Sequence, residues 1–242
     1  MKYFYRKSCL APFVWRGAFH FYRIKSLYEW DAWFCEVCGI EMPGKREQSL
    51  RGGVLLEALG KTNLVHGHVA ECGVFQGASL IPMAYYTRKS NPSKKVYAFD
   101  SFVGFDARVH NPKDQGELLS ANKKVGGFGN TSKEYVERKA EVFGLKETVL
   151  VIPGFFEDTL KRVKDERFSF VYLDCDLYDS YKVCLEFFYS RMNPGGIILF
   201  DEYCEPVWPG AAKAIDEFLM DKPERCTKLG IDPAAKYYIT KK

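Results

Sequence analysis

The fold of this chain is decided by the stretch Tyr172-Leu173-Asp174-Cys175-Asp176-Leu177-Tyr178 and by its counterpart Leu199-Phe200-Asp201-Glu202-Tyr203. Each stretch is an apolar, strand-like run that ends directly in carboxylates. A helical pattern separates them, so they are predicted to be neighbouring parallel strands. The carboxyl ends of such strands meet at the edge of the sheet where α/β folds bind ligands. Several carboxylates that converge there indicate a hard divalent cation.

Strand and helix patterns alternate along the rest of the chain, which predicts an α/β fold: a mostly parallel sheet with helices on both faces. The predicted strands are 69–75, 96–102, 149–153, 168–174, 197–201 and 236–240. The predicted helices are 50–59, 77–88, one that starts in a capping box at 131–134 and stops near 144, 158–163, 178–192 and 211–220. A helix stop and a turn are predicted at 193–196, from the sequence Asn-Pro-Gly-Gly.

The segment 104–130 is rich in Gly, Asn and Asp and is too long to be a simple connector. Two interpretations remain open for it. It is either a flap over a site, with Phe128 placed among glycines, or a passive loop.

Composition and charge divide the 242 residues into two predicted parts. Residues 1–51 hold nine Lys and Arg against five Asp and Glu, so they carry the whole net charge of +4. The neutral remainder argues against a nucleic-acid-binding body. We expect residues 1–50, which are rich in aromatic and basic side chains, to be a helical arm or lid that packs on the main domain or on a second subunit. A segment that binds a membrane surface is the alternative. Residues 51–242 are expected to form the main domain.

The eight cysteines are scattered, and several lie in apolar runs, which favours the reducing cytoplasm over a disulfide framework. A lone CxxC at Cys35–Cys38 has no second pair, so packing is expected there rather than a zinc or redox site. No apolar run reaches the roughly 20 residues of a membrane span. No cleavage site for a signal peptide follows the apolar run that Arg16 ends.

The stretch 69–79 reads Val-Ala-Glu-Cys-Gly-Val-Phe-Gln-Gly-Ala-Ser and is predicted to end the first strand and open the first helix. Its GxxxG spacing lacks the GxGxxG of dinucleotide-binding proteins, which disfavours a nicotinamide cofactor. Glu71 suits a cationic group such as an amino-acid ammonium better than a pyrophosphate. Asp100, at the end of the second strand, is placed to accept both hydroxyls of a ribose. The alternative is that Asp100 only caps the turn with Ser101.

These motifs together resemble the macrocin O-methyltransferase family. The resemblance covers roughly residues 44–220 and rests on a set of motifs in order: Glu71-Cys-Gly-Val-Phe-Gln-Gly-Ala-Ser79, Ala98-Phe-Asp-Ser-Phe-Val-Gly-Phe105, Leu173-Asp-Cys-Asp-Leu-Tyr-Asp-Ser180, Pro194-Gly-Gly, Asp201-Glu-Tyr203, Pro209-Gly210 and Lys213-Ala-Ile-Asp216. It implies a Rossmann-like class I methyltransferase with a seven-stranded sheet. It also implies an enzyme that uses S-adenosylmethionine and a divalent metal such as Mg²⁺ to methylate sugar hydroxyls on natural products.

The resemblance also implies a cofactor site. The residues that would wrap the methionine end of S-adenosylmethionine are Gly73, Phe75, Gly77 and Ser79, with Glu71 nearby. Asp100 would hold the ribose. Ser101, Phe156 and Glu157 would border the adenine. For Phe155 and Phe156, ordinary core packing is the alternative.

The metal and catalytic residues follow from the same acidic ends. Asp174, Asp201 and Glu202 are the expected metal ligands, and Glu202 departs from the second Asp that the family usually has. A metal-bound hydroxyl is easier to ionise, and Asp176 is expected to take its proton. Asp174 and Asp176 are therefore the expected catalytic residues.

Alternatives exist for these roles. The three side chains of Asp176, Asp179 and Ser180 could instead only cap the helix that starts near Tyr178. Candidate alternative bases are His66, His68 and His110, of which the first two are predicted at the wrong edge of the sheet.

The expected function is methylation of a hydroxyl on a sugar or glycosylated natural product by a cytoplasmic homodimer with neither a nucleic-acid partner nor a membrane span. Three alternatives remain: a methyltransferase of the same fold acting on a phenolic or other small-molecule hydroxyl, a non-catalytic cofactor-binding relative, and a nicotinamide-dependent dehydrogenase.

Overall fold

A computed structural model of the protein describes residues 48–116, 118, 120–230 and 235–242, and seven strands in these ranges form one sheet. The strands are β1 (His68–Cys72), β2 (Val96–Asp100), β3 (Val149–Pro153), β4 (Phe168–Leu173), β5 (Met192–Phe200), β6 (Thr227–Leu229) and β7 (Lys236–Thr240). Their spatial order is β3-β2-β1-β4-β5-β7-β6. The first five strands are parallel, whereas β7 runs antiparallel to β5 and β6 antiparallel to β7.

Helices cover both faces of this sheet. They are α1 (Gln48–Gly60), α2 (Leu80–Ser90), α3 (Lys133–Val142), α4 (Phe156–Thr159), α5 (Tyr178–Tyr189) and α6 (Pro209–Leu219). Short 3-10 turns lie at Ala107–His110, Pro112–Asp114 and Leu160–Val163. None of the helices in the described ranges is long and apolar enough to cross a lipid bilayer.

The central strand β4 shows why the sheet needs two helical layers. All six of its residues are buried, as expected for a parallel strand covered on both sides. Phe170 and Tyr172 pack with α1, α2 and α3, whereas Val171 and Leu173 pack with α5 and α6 on the opposite face. The predicted architecture, a mostly parallel seven-stranded sheet with helices on both faces, is confirmed.

The boundary between α5 and β5 differs from the prediction. The helix ends at Tyr189, and β5 already begins at Met192, so the segment 193–196 lies within the strand. The pairing of β4 with β5 shifts register here, with Phe168 opposite Met192 and Phe170 opposite Ile197. The Pro-Gly-Gly sequence therefore forms an irregular part of the strand, and the turn predicted there is wrong.

Three smaller predictions also needed correction. The strands β1 and β2 end at Cys72 and Asp100, earlier than predicted, and β6 was not predicted at all. The cap of α3 is Ser132, whose hydroxyl accepts from the Tyr135 amide at 3.1 Å, so the capping box does not start at Thr131.

The expected arm over 1–50, including its CxxC, lies outside the described residues except for 48–50, which belong to α1.

Candidate active site

A cavity of about 580 Å³ is lined by residues that end or follow the five parallel strands. One end is formed by the turn after β1 and the end of β2. The other end is formed by the acidic residues after β4 and β5. The cavity therefore occupies the crevice at the carboxyl edge of the sheet, where the sequence predicted ligand binding.

The turn after β1 brings the two ends of the cavity together. Gly73 has φ +92°, and a Cβ atom at this position would lie 1.7 Å from the carbonyl oxygen of Asp174. Only glycine can accept both the left-handed backbone and this close approach to the acidic turn. Phe75 also has positive φ, at 49°, and lines the cavity.

Asp100 holds this turn in place. Its Oδ2 accepts from the Val74 amide at 2.9 Å and from the Phe75 amide at 2.7 Å, and its Oδ1 accepts from the Phe102 amide at 2.8 Å. The carboxylate thus caps two turns and also lines the cavity. Burial raises its pKa, while the three amides act in the opposite direction.

Glu71 is fully buried behind the turn. Its Oε1 accepts a hydrogen bond from the Ser79 hydroxyl, and its Oε2 has no hydrogen-bond partner among the described residues. Burial raises the pKa of this carboxyl well above its ordinary value, and the nearby carboxylates of Asp174 and Asp100 act in the same direction. A cationic group beside this carboxyl would favour its ionised form and offset the burial.

The acidic ends of β4 and β5 converge at the other end of the cavity. Asp174, Asp201 and Glu202 each place one carboxylate oxygen so that the three oxygens lie within 4.8 Å of one another. Three hard oxygen donors at such spacing match the ligand preference of Mg²⁺. We refer to these three residues as the carboxylate cluster.

Buried hydroxyl groups and a lysine surround the carboxylate cluster. Glu202 Oε2 lies 2.5 Å from the Tyr181 hydroxyl, and Asp201 Oδ1 accepts from the hydroxyl of Tyr172 and from Lys236 Nζ, the latter at 2.5 Å. Burial raises the pKa of Glu202 well above its ordinary value, and the charges of Asp174 and Asp201 raise it further. Without a cation, both burial and the neighbouring carboxylates therefore oppose the ionisation of Glu202.

Asp176 lies in a sharp turn beside the cluster. It has φ +59°, a conformation that is uncommon for residues other than glycine. Its amide lies 3.4 Å from Glu202 Oε2, and the residue lines the cavity. The turn thus keeps Asp176 beside the proposed metal ligands.

The turn is held by Asp114, a residue of the long loop. Asp114 Oδ1 accepts from the Tyr178 amide at 2.9 Å and so caps α5, which begins directly after the turn. The N-cap residue of α5 is Leu177, and its side chain makes no capping hydrogen bond. The alternative that the acidic turn itself caps α5 therefore does not account for the Tyr178 amide.

The long loop and the segment just before α6 together form an apolar wall. Phe128 packs edge-on against Phe75 and Phe105, with ring centroids 5.5 Å apart in both pairs, and lies 6.4 Å from the Trp208 ring. With Val207, the side chains of Phe105, Phe128 and Trp208 line the cavity, and we call this group the apolar wall. The loop is therefore packed over the cavity.

Comparison with known proteins decides the family. A family model described as macrocin O-methyltransferase (TylF) matches residues 40–238, which is most of the chain. The chain belongs to the macrocin O-methyltransferase family. The resemblance inferred from the sequence motifs is thereby confirmed.

Two curated relatives of this family member are named as O-methyltransferases, and the name of the first includes a rhamnosyl group. One is 8-demethyl-8-(2,3-dimethoxy-alpha-L-rhamnosyl)-tetracenomycin-C 4'-O-methyltransferase of Streptomyces olivaceus, 33% identical over 57% of this chain and 54% of the relative. The other is mycinamicin III 3''-O-methyltransferase of Micromonospora griseorubida, 31% identical over 59% of this chain and 57% of the relative. The chain thus spans little more than half the length of these relatives.

Solved structures share the fold. The O-methyltransferase NovP is 24% identical, with a TM-score of 0.66 over 81% of both chains. An O-methyltransferase from Bacillus cereus in complex with SAH is 15% identical, with a TM-score of 0.61 over 94% of this chain and 97% of that one. At these identities the likeness shows the class I methyltransferase fold alone.

The structure brings most of the site residues expected of a family member to one cavity. Those that line it are Gly73, Phe75, Ser79, Asp100, Ser101, Phe156, Asp174, Asp176, Asp201 and Glu202. Glu71, Gly77 and Glu157 do not line it, and Glu157 forms an ion pair with Arg108, which does line the cavity. No histidine of the described residues lines it, and His68 accepts from the Lys95 amide at 3.1 Å, outside the cavity.

Sequence reasoning missed four residues at this site: Tyr181, Trp208, Lys236 and Asp114. A lysine at the head of the strand pattern 236–240 indicated that it needs a partner, because a buried strand seldom carries an unpaired lysine, but did not indicate which partner. The contacts of Asp114 and Lys236 join segments far apart in the chain, so no local pattern indicated them.

Proposed function

We propose that the protein is an S-adenosylmethionine- and divalent-metal-dependent O-methyltransferase that acts on a hydroxyl of a sugar or of a glycosylated natural product. The observation that carries the proposal is the carboxylate cluster, which lies in the same cavity as the turn after β1. Membership in the macrocin O-methyltransferase family and the names of the two curated relatives support it.

The residues present fit a divalent cation. Asp174, Asp201 and Glu202 offer three oxygen donors within 4.8 Å of one another, and burial together with the charges of Asp174 and Asp201 raises the pKa of Glu202. A bound divalent cation would lower the pKa of a coordinated hydroxyl and fix its direction toward the methyl donor. Glu202 can serve in place of the aspartate usual in the family because its oxygen already lies within the cluster.

The residues also fit S-adenosylmethionine. The left-handed turn at Gly73 exposes backbone to the cavity, and the unpartnered Glu71 Oε2 lies behind it, suited to the ammonium of the methionine moiety. Asp100 and Ser101 border the position proposed for the ribose, and Phe156 that for the adenine. SAH is bound in the Bacillus cereus relative of the same fold, which supports this choice of cofactor.

The chain's own residues would carry the remaining steps. Asp176 is proposed to accept the proton of the acceptor hydroxyl, since it lines the cavity beside the cluster. Fixing the hydroxyl oxygen and the methyl group in line supplies much of the rate enhancement, up to about ten kcal/mol. The apolar wall is proposed to pack on the carbon face of the sugar and on the apolar group that carries it.

Methyl transfer is the direct test. The protein is incubated with S-adenosylmethionine labelled in its methyl group, with rhamnosylated and other glycosylated natural products, and with catechol as the phenolic comparison. Each reaction is run after chelation and again with Mg²⁺ restored. Labelled glycoside that forms only with Mg²⁺ supports the proposal. Labelled catechol alone would favour a phenolic acceptor, and cofactor binding without transfer to any acceptor would favour a non-catalytic relative.

A further inference from the structure

Lys236 lies against the carboxylate cluster. Its Nζ is 2.5 Å from Asp201 Oδ1 and 2.9 Å from the Asp201 carbonyl oxygen, and the residue is only 5% exposed. The side chain comes from β7, which pairs antiparallel with β5 and places Tyr237 opposite Phe200. The ammonium group that contacts the cluster therefore comes from an antiparallel strand, outside the parallel part of the sheet.

A buried ammonium is costly unless a carboxylate pairs with it. The partner of Lys236 is itself a proposed metal ligand, and the Tyr172 hydroxyl donates to the same oxygen of Asp201. When the three carboxylates of the cluster are ionised, Lys236 reduces their combined charge from −3 to −2. A divalent cation would neutralise that remaining charge.

We infer that Lys236 is an internal counter-cation of the carboxylate cluster: it holds Asp201 in place without a metal and weakens the binding of a divalent cation. This inference rests on the metal site of the proposed function. It assigns Lys236 as a positioning residue, because the contacts described are with Asp201 and not with a substrate.

The direction of the effect follows from Coulomb's law. A fixed positive charge within a few ångströms of the cation repels it, and this repulsion is stronger at the effective dielectric of a protein than in bulk water. Lys236→Met removes this charge, so the dissociation constant for Mn²⁺ should fall by at least about tenfold. The metal-free protein should become less stable, since the buried Asp201 loses its positively charged partner and keeps only the Tyr172 hydroxyl.

The chain offers a matched control. Lys94 is also buried, at 6% exposure, and donates to the Thr62 carbonyl at 3.1 Å and to the Ser169 hydroxyl at 2.8 Å. These partners are uncharged and lie outside the cavity lining. Lys94→Met should therefore lower the melting temperature and leave metal affinity unchanged. Lys236→Arg keeps the charge and should bind Mn²⁺ within about threefold of the unmodified chain.

The experiment is calorimetric titration of the chain of 242 residues and its three variants with Mn²⁺, together with melting temperatures with and without Mg²⁺. We expect Lys236→Met, and neither of the other two variants, to bind Mn²⁺ more tightly than the unmodified chain and to show a larger metal-induced rise in melting temperature. Mn²⁺ binding by Lys236→Met but not by the unmodified chain would also support it.

Two results would overturn the inference, and they are distinguishable. If the unmodified chain binds Mn²⁺ and Lys236→Met binds it equally or more weakly, the role of Lys236 is wrong while the metal site of the proposed function stands. If neither protein binds Mn²⁺, both the inference and the metal site fail. The melting temperatures show that each variant is folded.

Discussion

The two ends of the cavity are built in different ways. At the end proposed for the cofactor, called the cofactor end below, the turn after β1 is held by Asp100, whose oxygens accept from three backbone amides within the adjoining loops. At the acidic end, the carboxylate cluster depends on side chains from separate elements, among them Tyr172, Tyr181 and Lys236. Hydrogen bonds to backbone amides thus hold the first end. Contacts between buried, partly charged side chains hold the second end. The two should respond separately to mutation.

The largest effect is expected at the acidic end. Asp201→Asn removes one charge from the cluster and the partner of Lys236, so metal-stimulated methyl transfer should fall by at least about a hundredfold. Affinity for S-adenosylmethionine should stay within about threefold, because the cofactor end does not use Asp201. The measurements are turnover at saturating Mg²⁺ and calorimetric binding of the cofactor, with the exposed Asp221→Asn as control. Equal losses of both properties in a folded variant would contradict the separation.

The converse effect is expected at the cofactor end. Asp100→Ala removes the acceptor for the Val74, Phe75 and Phe102 amides, so the turn loses its fixed conformation. Affinity for S-adenosylmethionine should fall by roughly tenfold to a hundredfold, as expected when hydrogen bonds to a charged group are lost. Calorimetric affinity for Mn²⁺ should not change by more than about threefold. A variant with normal cofactor affinity would show that Asp100 is unnecessary at this end.

A pH-dependent effect is expected where the long loop meets the acidic end. Burial raises the pKa of Asp114 to about 6, and its Oδ2 has no hydrogen-bond partner among the described residues. Because the folded-state pKa is raised above the ordinary 3.8, the folded protein favours the protonated acid, and stability is lost as pH rises toward 6. Asp114→Asn keeps an oxygen to accept from the Tyr178 amide but carries no charge.

The stability of Asp114→Asn relative to the unmodified chain should therefore improve between pH 4 and pH 7, roughly the interval in which Asp114 ionises. Thermal melting across this interval measures it. A difference in melting temperature that does not change with pH would contradict the raised pKa. If the unmodified chain instead gained stability relative to Asp114→Asn as pH rises, the folded state would lower the pKa of Asp114 rather than raise it.

The smallest effect is expected away from the cavity, at Glu224. Burial opposes ionisation there, but the Tyr189 hydroxyl at 2.6 Å, the Lys242 amide at 3.0 Å and the Lys241 ammonium at 3.2 Å lower its pKa to about 2. Its contribution to stability is present above the ordinary pKa of 4.5 and is lost as pH falls toward 2. Glu224→Gln should cost about 1–2 kcal/mol of unfolding free energy at pH 7 and leave both ends of the cavity unaffected.

Chemical denaturation at pH 7 and at pH 3 tests this expectation, with turnover as a second readout. The cost should shrink at pH 3. A variant that loses turnover would show that this region is coupled to the cavity.

The same contrast explains what the sequence could predict. Gly73, Asp100, Asp174 and Asp201 each stand at the end of a strand, so the alternation of strands and helices was enough to bring them to one edge. The role of Lys236 depends on an antiparallel pairing of β7 with β5, which no local pattern specifies. The cap that Asp114 gives to α5 joins residues far apart in the chain, so it became visible only in the folded structure.

The central claim is that acidic side chains from β4 and β5 hold one divalent cation beside the proposed cofactor site. Crystals of the protein grown with S-adenosylhomocysteine and Mn²⁺, measured for anomalous scattering of manganese, test it most directly. We expect one strong peak bonded to Asp174, Asp201 and Glu202, facing the sulfur of the bound cofactor product. A peak at other residues, or an ordered cofactor product with no manganese at these three carboxylates, would contradict it.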